Sequence, residues 1–498
     1  MKRLQTILPL LSIGCIAYLR GFGLSRIGLP AYDVVQNYEV IKEIAQGNFK
    51  HLFGHLCPTF YLVYAPFYKL SPSFLSLEYL TIAISLIAIW RLVKLFSLYF
   101  PLSYWQKSLL LLLMGSSPML TDEARSLAIE SMSLLLFVEW LRRYLVTFDA
   151  SHRHFSPLSN NWLIAWAWFA LLLTVSYKAL LLLPVVLVLE WTLRNKPFLW
   201  QQWAKVVGIL VLPQVLYLTL GLLLGIGWKP FLGTWYFKLI RPVGTNPWAE
   251  IPIFNFDFLF YIRYLLDFES FLVLPGVVLL LISIRGKLNK QSVLVILFLF
   301  VGLVVAGMSV LAKAPRGLTF VYPLLYGLAF VGINKKVLNP YLFSSIILLG
   351  IGHNLYRINQ HIYAYTTTNY PQIASYLRQH HIQKIAVTVG INVKPFLDGS
   401  TELAIIRFEK DLNALRANGY QYCLIDDYHC IAGANVFEHL RTEKPLLALP
   451  EPTLLPPILY LEHCEFNSLS YQEALLLQQK VAKEPSQLRL IRIPANGN

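Results

Sequence analysis

Apolar residues run along this chain in long blocks separated by short polar breaks. A helix needs roughly 20 apolar residues to cross the hydrocarbon core of a bilayer. Eleven blocks approach that length: 4–21, 75–95, 104–120, 125–146, 160–176, 178–194, 203–227, 270–285, 291–312, 317–333 and 338–357. The pattern predicts a polytopic all-α bundle of about eleven membrane-spanning helices over residues 1–360. Block 58–70 is too short to span and is rich in Tyr and Phe, so it reads as an interfacial helix with its rings at headgroup level. In the first outer loop, 22–74, Val34, Tyr38, Ile41 and Ala45 recur at helical spacing while Gln36, Asn37, Lys42 and Glu43 fall elsewhere. That spacing predicts a short two-faced helix stopped by Gly47.

From about Tyr370 the period changes. Segments 370–381 and 409–417 read as helices, and 384–389, 402–407, 420–426 and 488–493 as short strands. Alternating helices and strands predict a small α/β domain over 361–498. The Pro-rich run 449–457 reads as a turn or linker.

Composition agrees with the block pattern. Of 498 residues, 56% are hydrophobic and 14% charged, the balance of a multi-span membrane protein. The net charge of +15 is therefore no sign of nucleic acid. With Lys2 and Arg3 inside, every even-numbered connection is cytoplasmic. Those connections carry Arg91 and Lys94, Arg142, Arg143 and Arg153, Arg194 and Lys196, Arg285, Lys287 and Lys290, then Lys335 and Lys336. This places Asp33, the 121–125 turn, Lys313, Arg316 and the tail domain on the extracytoplasmic side of a cell (inner) membrane. The lack of any Asn-x-Ser/Thr sequon favours a bacterial source. Five cysteines make no disulfide framework. Cys423 and Cys430 could pair outside the cell, or be a buried strand cysteine and a loop cysteine.

The ionisable residues near the outer face are the candidates for chemistry, because charge placed there has a cost. Asp33 precedes Gln36 by three residues, a capping-box pattern that is compatible with a carboxylate facing a crevice. The turn Pro118-Met-Leu-Thr-Asp122-Glu123-Ala-Arg125 holds a second acidic point, either a wet turn with an internal ion pair or part of a site. Lys178, alone between two apolar runs, either snorkels or binds an anion. Lys313 and Arg316 repeat the anomaly at another outer turn, and Arg241 and Arg263 lie in the long outer loop. Such cations are natural phosphate ligands. Glu139 with Arg142 and Arg143 reads as a helix-end salt bridge. Asp426-Asp427-Tyr-His429-Cys430 reads as a turn or a metal cluster.

Taken in order, these features resemble the integral-membrane glycosyltransferases of the GT-C class, similar to bacterial protein O-mannosyltransferases and the lipid A aminoarabinose transferase. The resemblance covers roughly residues 1–360. It rests on Asp33 followed by Tyr38, Gly47 and His55-x-x-Pro58-x-x-Tyr61; on Pro118 with Ala-Arg125-Ser-Leu and Glu130; on Tyr-Lys178-Ala-Leu-Leu-Leu-Leu-Pro184; and on Pro315-Arg316-Gly-Leu-Thr-Phe-Val-Tyr-Pro323. The chain departs from the family at Val34, where many relatives carry Glu after the Asp, and at Gly317, where an aromatic is usual.

The resemblance implies inverting transfer of a sugar from a polyprenyl-phosphate-linked donor to an acceptor hydroxyl on the non-cytoplasmic face. A hydroxyl is a poor nucleophile, so a carboxylate must take its proton, and Asp33 is the expected general base. Lys178, Arg316, Arg125 and Lys313 are the expected ligands of the donor phosphate. Asp122 and Glu123 are candidates for positioning the acceptor or a divalent cation, and Tyr38, His55 and Tyr61 for contacting sugar or acceptor. The rival readings are a flippase or transporter of a lipid-linked intermediate, which would show paired halves and acids at the midplane, and a polysaccharide polymerase or ligase.

Overall fold

The computed structural model describes residues 2–29, 32–148, 160–193, 200–240, 254–284, 293–337, 339–363, 368–388, 392–406, 408–427, 430, 437–450, 457–466, 469–483 and 486–494. Arg153, Arg194, Lys196, Arg241, Arg285, Lys287, Lys290 and His429 lie outside the described residues.

Each apolar block folds as a helix: Lys2–Gly21, Phe74–Tyr99, Tyr104–Gly115, Glu130–Val146, Asn160–Leu173, Leu182–Leu193, Trp200–Leu223, Val273–Ile284, Val293–Met308, Tyr322–Lys336 and Pro340–Ile358. Among the described residues, three helical stretches are long and apolar enough to cross a membrane alone: Ile7–Arg26, Phe74–Tyr99 and Trp200–Leu223. The pair Phe260–Phe268 and Val273–Ile284, bent by 115°, passes as a fourth. Several other blocks are shorter as helices than as sequence because turns cut into them. Block 104–120 breaks where Ser117 caps the new short helix Pro118–Ala124. Block 178–194 opens as the 3₁₀ turn Tyr177–Leu181, and 317–333 follows the 3₁₀ turn Pro315–Leu318. These breaks carry the polar residues.

The chain divides into two compact units. The first gathers the helices, over Met1–Phe22, Val40–Pro242 and Ile253–Asn359; the second joins Gly23–Glu39 to the tail, Gln360–Asn498.

In the first unit, Trp140 stacks on Tyr144 with centroids 5.1 Å apart and meets Phe137 and Phe169. Val273–Ile284 and Tyr322–Lys336 approach so closely that a Cβ on Gly332 would stand 2.1 Å from the Gly276 carbonyl oxygen, a small-residue contact usual between membrane helices. Trp200–Leu223 exposes Val211, Leu212, Val215, Leu216 and Leu223, a face suited to lipid. Glu139 pairs with Arg142 at 2.9 Å as its spacing predicts, and also with Arg91 at 3.3 Å. Arg143 turns instead to Asn161.

The second unit carries a mixed five-stranded sheet: β1 (Lys384–Thr388), β2 (Glu402–Ile406), β3 (Tyr422–Asp426), β4 (Leu447–Pro450) and β5 (Gln487–Arg492), in the order β2-β1-β3-β5-β4. β1 runs parallel to β2 and β3, with Ala386 opposite Ala404 and Cys423. β5 is antiparallel to β3 and β4. Alternation divides the strands cleanly. Ile385, Val387, Leu424, Leu488 and Leu490 pack beneath helix Tyr370–Gln379, while Ala386, Cys423, Ile425 and Ile491 pack with Leu412 and Leu440. The expected helices and strands are present. β4 departs from the expectation, because its first two residues precede the run read as a linker and its last is Pro450. Proline is tolerated there because β4 is an edge strand. Cys423 and Cys430 are free thiols buried in this core. Burial pushes Cys430 up to about 12.

Candidate active site

The interruptions of the helical unit build a pocket. Glu130 stands in the first turn of its helix, where the helix dipole favours an anion. Lys178 sits on the 3₁₀ turn Tyr177–Leu181, and Arg316 on the turn that Pro315 initiates. All three line a cavity of about 650 Å³. The lining adds Ser133, Ser176 and Thr319 among the apolar side chains of Leu181, Val185, Val188, Leu303, Val304, Met308 and Leu311. Lys178 Nζ is 3.4 Å from Glu130 Oε1. The two side chains are 29% and 11% exposed.

Glu123, on helix Pro118–Ala124, stands behind Thr319. Thr319 Oγ1 bonds its carboxyl and the Arg316 carbonyl, the latter at 2.7 Å. Burial first, then the charge of Glu130, pushes Glu123 well above the usual carboxylate range. Asp122 is enclosed by protein although part of its surface is open. Burial raises it to about 6 against the pull of Arg125. Gly317 is explained by packing: a Cβ there would meet Met308 Cε at 2.6 Å and the Tyr261 hydroxyl at 2.8 Å.

Two expected phosphate ligands are engaged elsewhere. Arg125, 4% exposed, donates to the carbonyls of Arg20 and Phe22, each at 2.7 Å, and so closes the C-terminal end of helix Lys2–Gly21. Lys313, 1% exposed, donates to the carbonyls of Ser309 at 2.8 Å, of Leu311 and of Asn255. Burial lowers it to about 8. Both cations satisfy the orphan carbonyls that every helix end leaves. Arg263 pairs with Asp257 at 3.8 Å.

Asp33 belongs to the second unit, in the first turn of helix Tyr32–Ala45, with an exposed side chain. Tyr38 is buried in that unit. In the first unit Tyr61 is fully buried against Phe60 and His55 is half-buried. Asp427 is buried between Arg441 at 3.1 Å and Arg489 at 3.3 Å, so this part of the tail's acidic run pins strands rather than a metal. Among the described residues no three His, Cys, Asp or Glu side chains gather as a metal site.

The cavity thus sets two cations, Lys178 and Arg316, into a lining that is otherwise largely apolar. That combination suits an amphiphile with an anionic head. No family model matches this chain, and no curated protein matches it. Solved structures do. ArnT from Cupriavidus metallidurans in the apo state aligns with a TM-score of 0.56 and 12% identity, over 84% of this chain and 93% of that one. The fold is that of ArnT. The structure of ArnT bound to undecaprenyl phosphate aligns equally well, at 13% identity over 86% and 94% of the two chains. A mutant of the arabinofuranosyltransferase AftD from mycobacteria gives a TM-score of 0.50 at 13% identity, this chain covering 37% of that much longer one. ArnT and AftD are GT-C membrane glycosyltransferases, so the resemblance read from the sequence motifs holds at the level of fold. With its several apolar helices, the ArnT-like chain is a multi-pass membrane protein.

The site's sequence signals were uneven. Lys178, Arg316 and Glu123 are charges at the edges of apolar runs. Glu130 is legible as a motif member without a role. Thr319 is one hydroxyl inside an apolar run and carries no signal of its own.

Proposed function

We propose that this protein is a glycosyltransferase that takes a sugar from a polyprenyl-phosphate-linked donor and passes it to an acceptor hydroxyl with inversion. The observation that carries this reading is the cavity: Lys178 and Arg316 in a lining that is otherwise largely apolar, in a chain with the fold of ArnT. ArnT has been captured with undecaprenyl phosphate, which supports a donor of this class. The two cations would hold the phosphate and stabilise the charge that grows on it as the glycosidic bond breaks. The prenyl chain would follow the wall of Leu181, Val185, Leu303 and Val304. Glu123, bonded to Thr319, would orient the turn that bears Arg316. Asp33 is proposed as the general base on the sequence pattern. The eleven helices would span the inner membrane with the tail outside.

The test is transfer by the purified full chain, offered a panel of polyprenyl-phosphate sugars and acceptors. Lys178→Ala and Arg316→Ala should each raise the donor KM on the order of tenfold or more, and Asp33→Asn should abolish transfer while the protein still folds. Lipid movement across vesicles without sugar transfer would replace this reading with the flippase. Full activity in Asp33→Asn would remove that residue as base and leave the donor site standing.

A further inference from the structure

The mechanism above uses Lys178 and Arg316 and leaves Glu130 without a task. Glu130 nonetheless pairs with Lys178 at 3.4 Å, and both line the same cavity. We propose that Glu130 is a placeholder for the donor phosphate: it holds Lys178 while the cavity is empty, yields it to the incoming phosphate, and takes it back as the product departs. This inference rests on the donor reading above.

Three observations carry it. The first is the lining. A cation set among leucines and valines is poorly solvated, and a carboxylate 3.4 Å from Lys178 offsets that cost. The second is the asymmetry of the pair. Glu130 is short, 11% exposed and fixed in the first turn of a helix, whereas Lys178 rides a four-carbon stem on a 3₁₀ turn and is 29% exposed. The lysine is the partner able to swing toward a ligand and back. The third is the rest of the neighbourhood. Among the described residues that line the cavity Glu130 is the one acid, and the polar neighbours Thr319, Ser133 and Ser176 carry no charge.

The charge change during transfer gives the device a purpose. The bond from the anomeric carbon to the phosphate oxygen breaks and its electron pair stays on that oxygen. The acceptor oxygen bonds to the anomeric carbon, and its proton passes to the base. The donor is a phosphodiester with one negative charge; the product is a monoester whose second proton has a pKa of about 6, so it carries between one and two. Two unopposed cations would hold the product more tightly than the donor. A carboxylate competing for Lys178 weakens that grip and speeds release. Glu130 makes and breaks no bond in this scheme; it acts through Lys178.

The test uses the full-length protein and measures the affinity for undecaprenyl phosphate and the steady-state kinetics of transfer. Glu130→Gln keeps the shape and removes the charge. It should bind undecaprenyl phosphate on the order of tenfold more tightly, with the donor KM and kcat both lowered as product release slows. The gain should vanish in a Lys178→Ala background, because the two residues act as one pair. Glu130→Asp draws the carboxylate back by one methylene and should tighten binding in the same direction by a smaller factor, which keeps the test decisive if the glutamine variant does not fold. Equal or weaker binding in these variants, with the parent protein still binding the lipid, overturns the placeholder and leaves the donor site intact. Failure of the parent protein itself to bind undecaprenyl phosphate overturns the donor reading and this inference with it.

Discussion

Asp122 and Glu123 are neighbours in one short helix, yet their surroundings treat them differently. Burial raises both, but Arg125 opposes the rise at Asp122 while Glu130 adds to it at Glu123. Asp122 therefore titrates near physiological pH, at about 6, against 3.8 in the open chain. A carboxyl whose pKa is raised by folding binds its proton more tightly in the native state. Its contribution to stability is full below about pH 4 and is lost as pH rises through 6. Asn carries no charge at any pH and escapes that loss. Asp122→Asn should match the parent protein near pH 4 and melt a few degrees above it near pH 8, with the difference opening between those limits. Melting curves across this range check the sign; a difference that stays flat, or widens toward acid, refutes the account.

At the scale of elements, Arg125 and Lys313 show how a helix end can claim a cation. Each brings its charge to the C-terminal end of a helix, Arg125 to that of Lys2–Gly21 and Lys313 to that of Val293–Met308, where carbonyls are left without partners and the dipole is negative. Arg125→Ala should destabilise the helical unit by roughly 2 kcal/mol, the scale of charge-assisted hydrogen bonds lost from a buried site, and so should Lys313→Met. Both should leave donor KM unchanged in the protein that remains folded. An unchanged melting temperature with a raised donor KM would return either residue to the phosphate site. The same contrast explains what the sequence made legible. Hydrophobic blocks and strand alternation are local, so the helices and β1, β2, β3 and β5 follow from them. A basic residue at the edge of an apolar block fits a phosphate ligand and a carbonyl cap equally well, and the contacts that make it a cap join residues far apart in sequence, as Arg125 does with Arg20. β4 was hidden because two of its four residues are Leu and Pro of a run that also reads as a turn. Gly23–Glu39 joins the tail through contacts far apart in sequence, such as Glu39 with Lys394 at 3.4 Å, which no local period encodes.

For the whole molecule, the proposed topology makes a claim that chemistry can check from outside the cell. Eleven spans starting with the N-terminus inside put the turn after Tyr322–Lys336 in the cytoplasm and the tail beyond the membrane, because basic residues gather in the connections that stay inside. The protein suits a thiol-labelling test. Cys57, Cys423, Cys430 and Cys464 are buried, and Cys15 is exposed, so replacing Cys15 with Ala removes the main background. A cysteine at Ala482, exposed on helix Tyr471–Lys483 of the tail, should react with a membrane-impermeant maleimide in intact cells. A cysteine at Lys336, exposed at the end of its helix, should react only after the membrane is opened. The two sites are separated by one proposed span, Pro340–Ile358, so their labelling must be opposite if that helix crosses the bilayer. Equal labelling of both in intact cells would mean that Pro340–Ile358 does not cross. Reversed labelling would place the tail in the cytoplasm, and the turns bearing Lys178 and Arg316 with it on the inner face, where the donor would have to present its sugar.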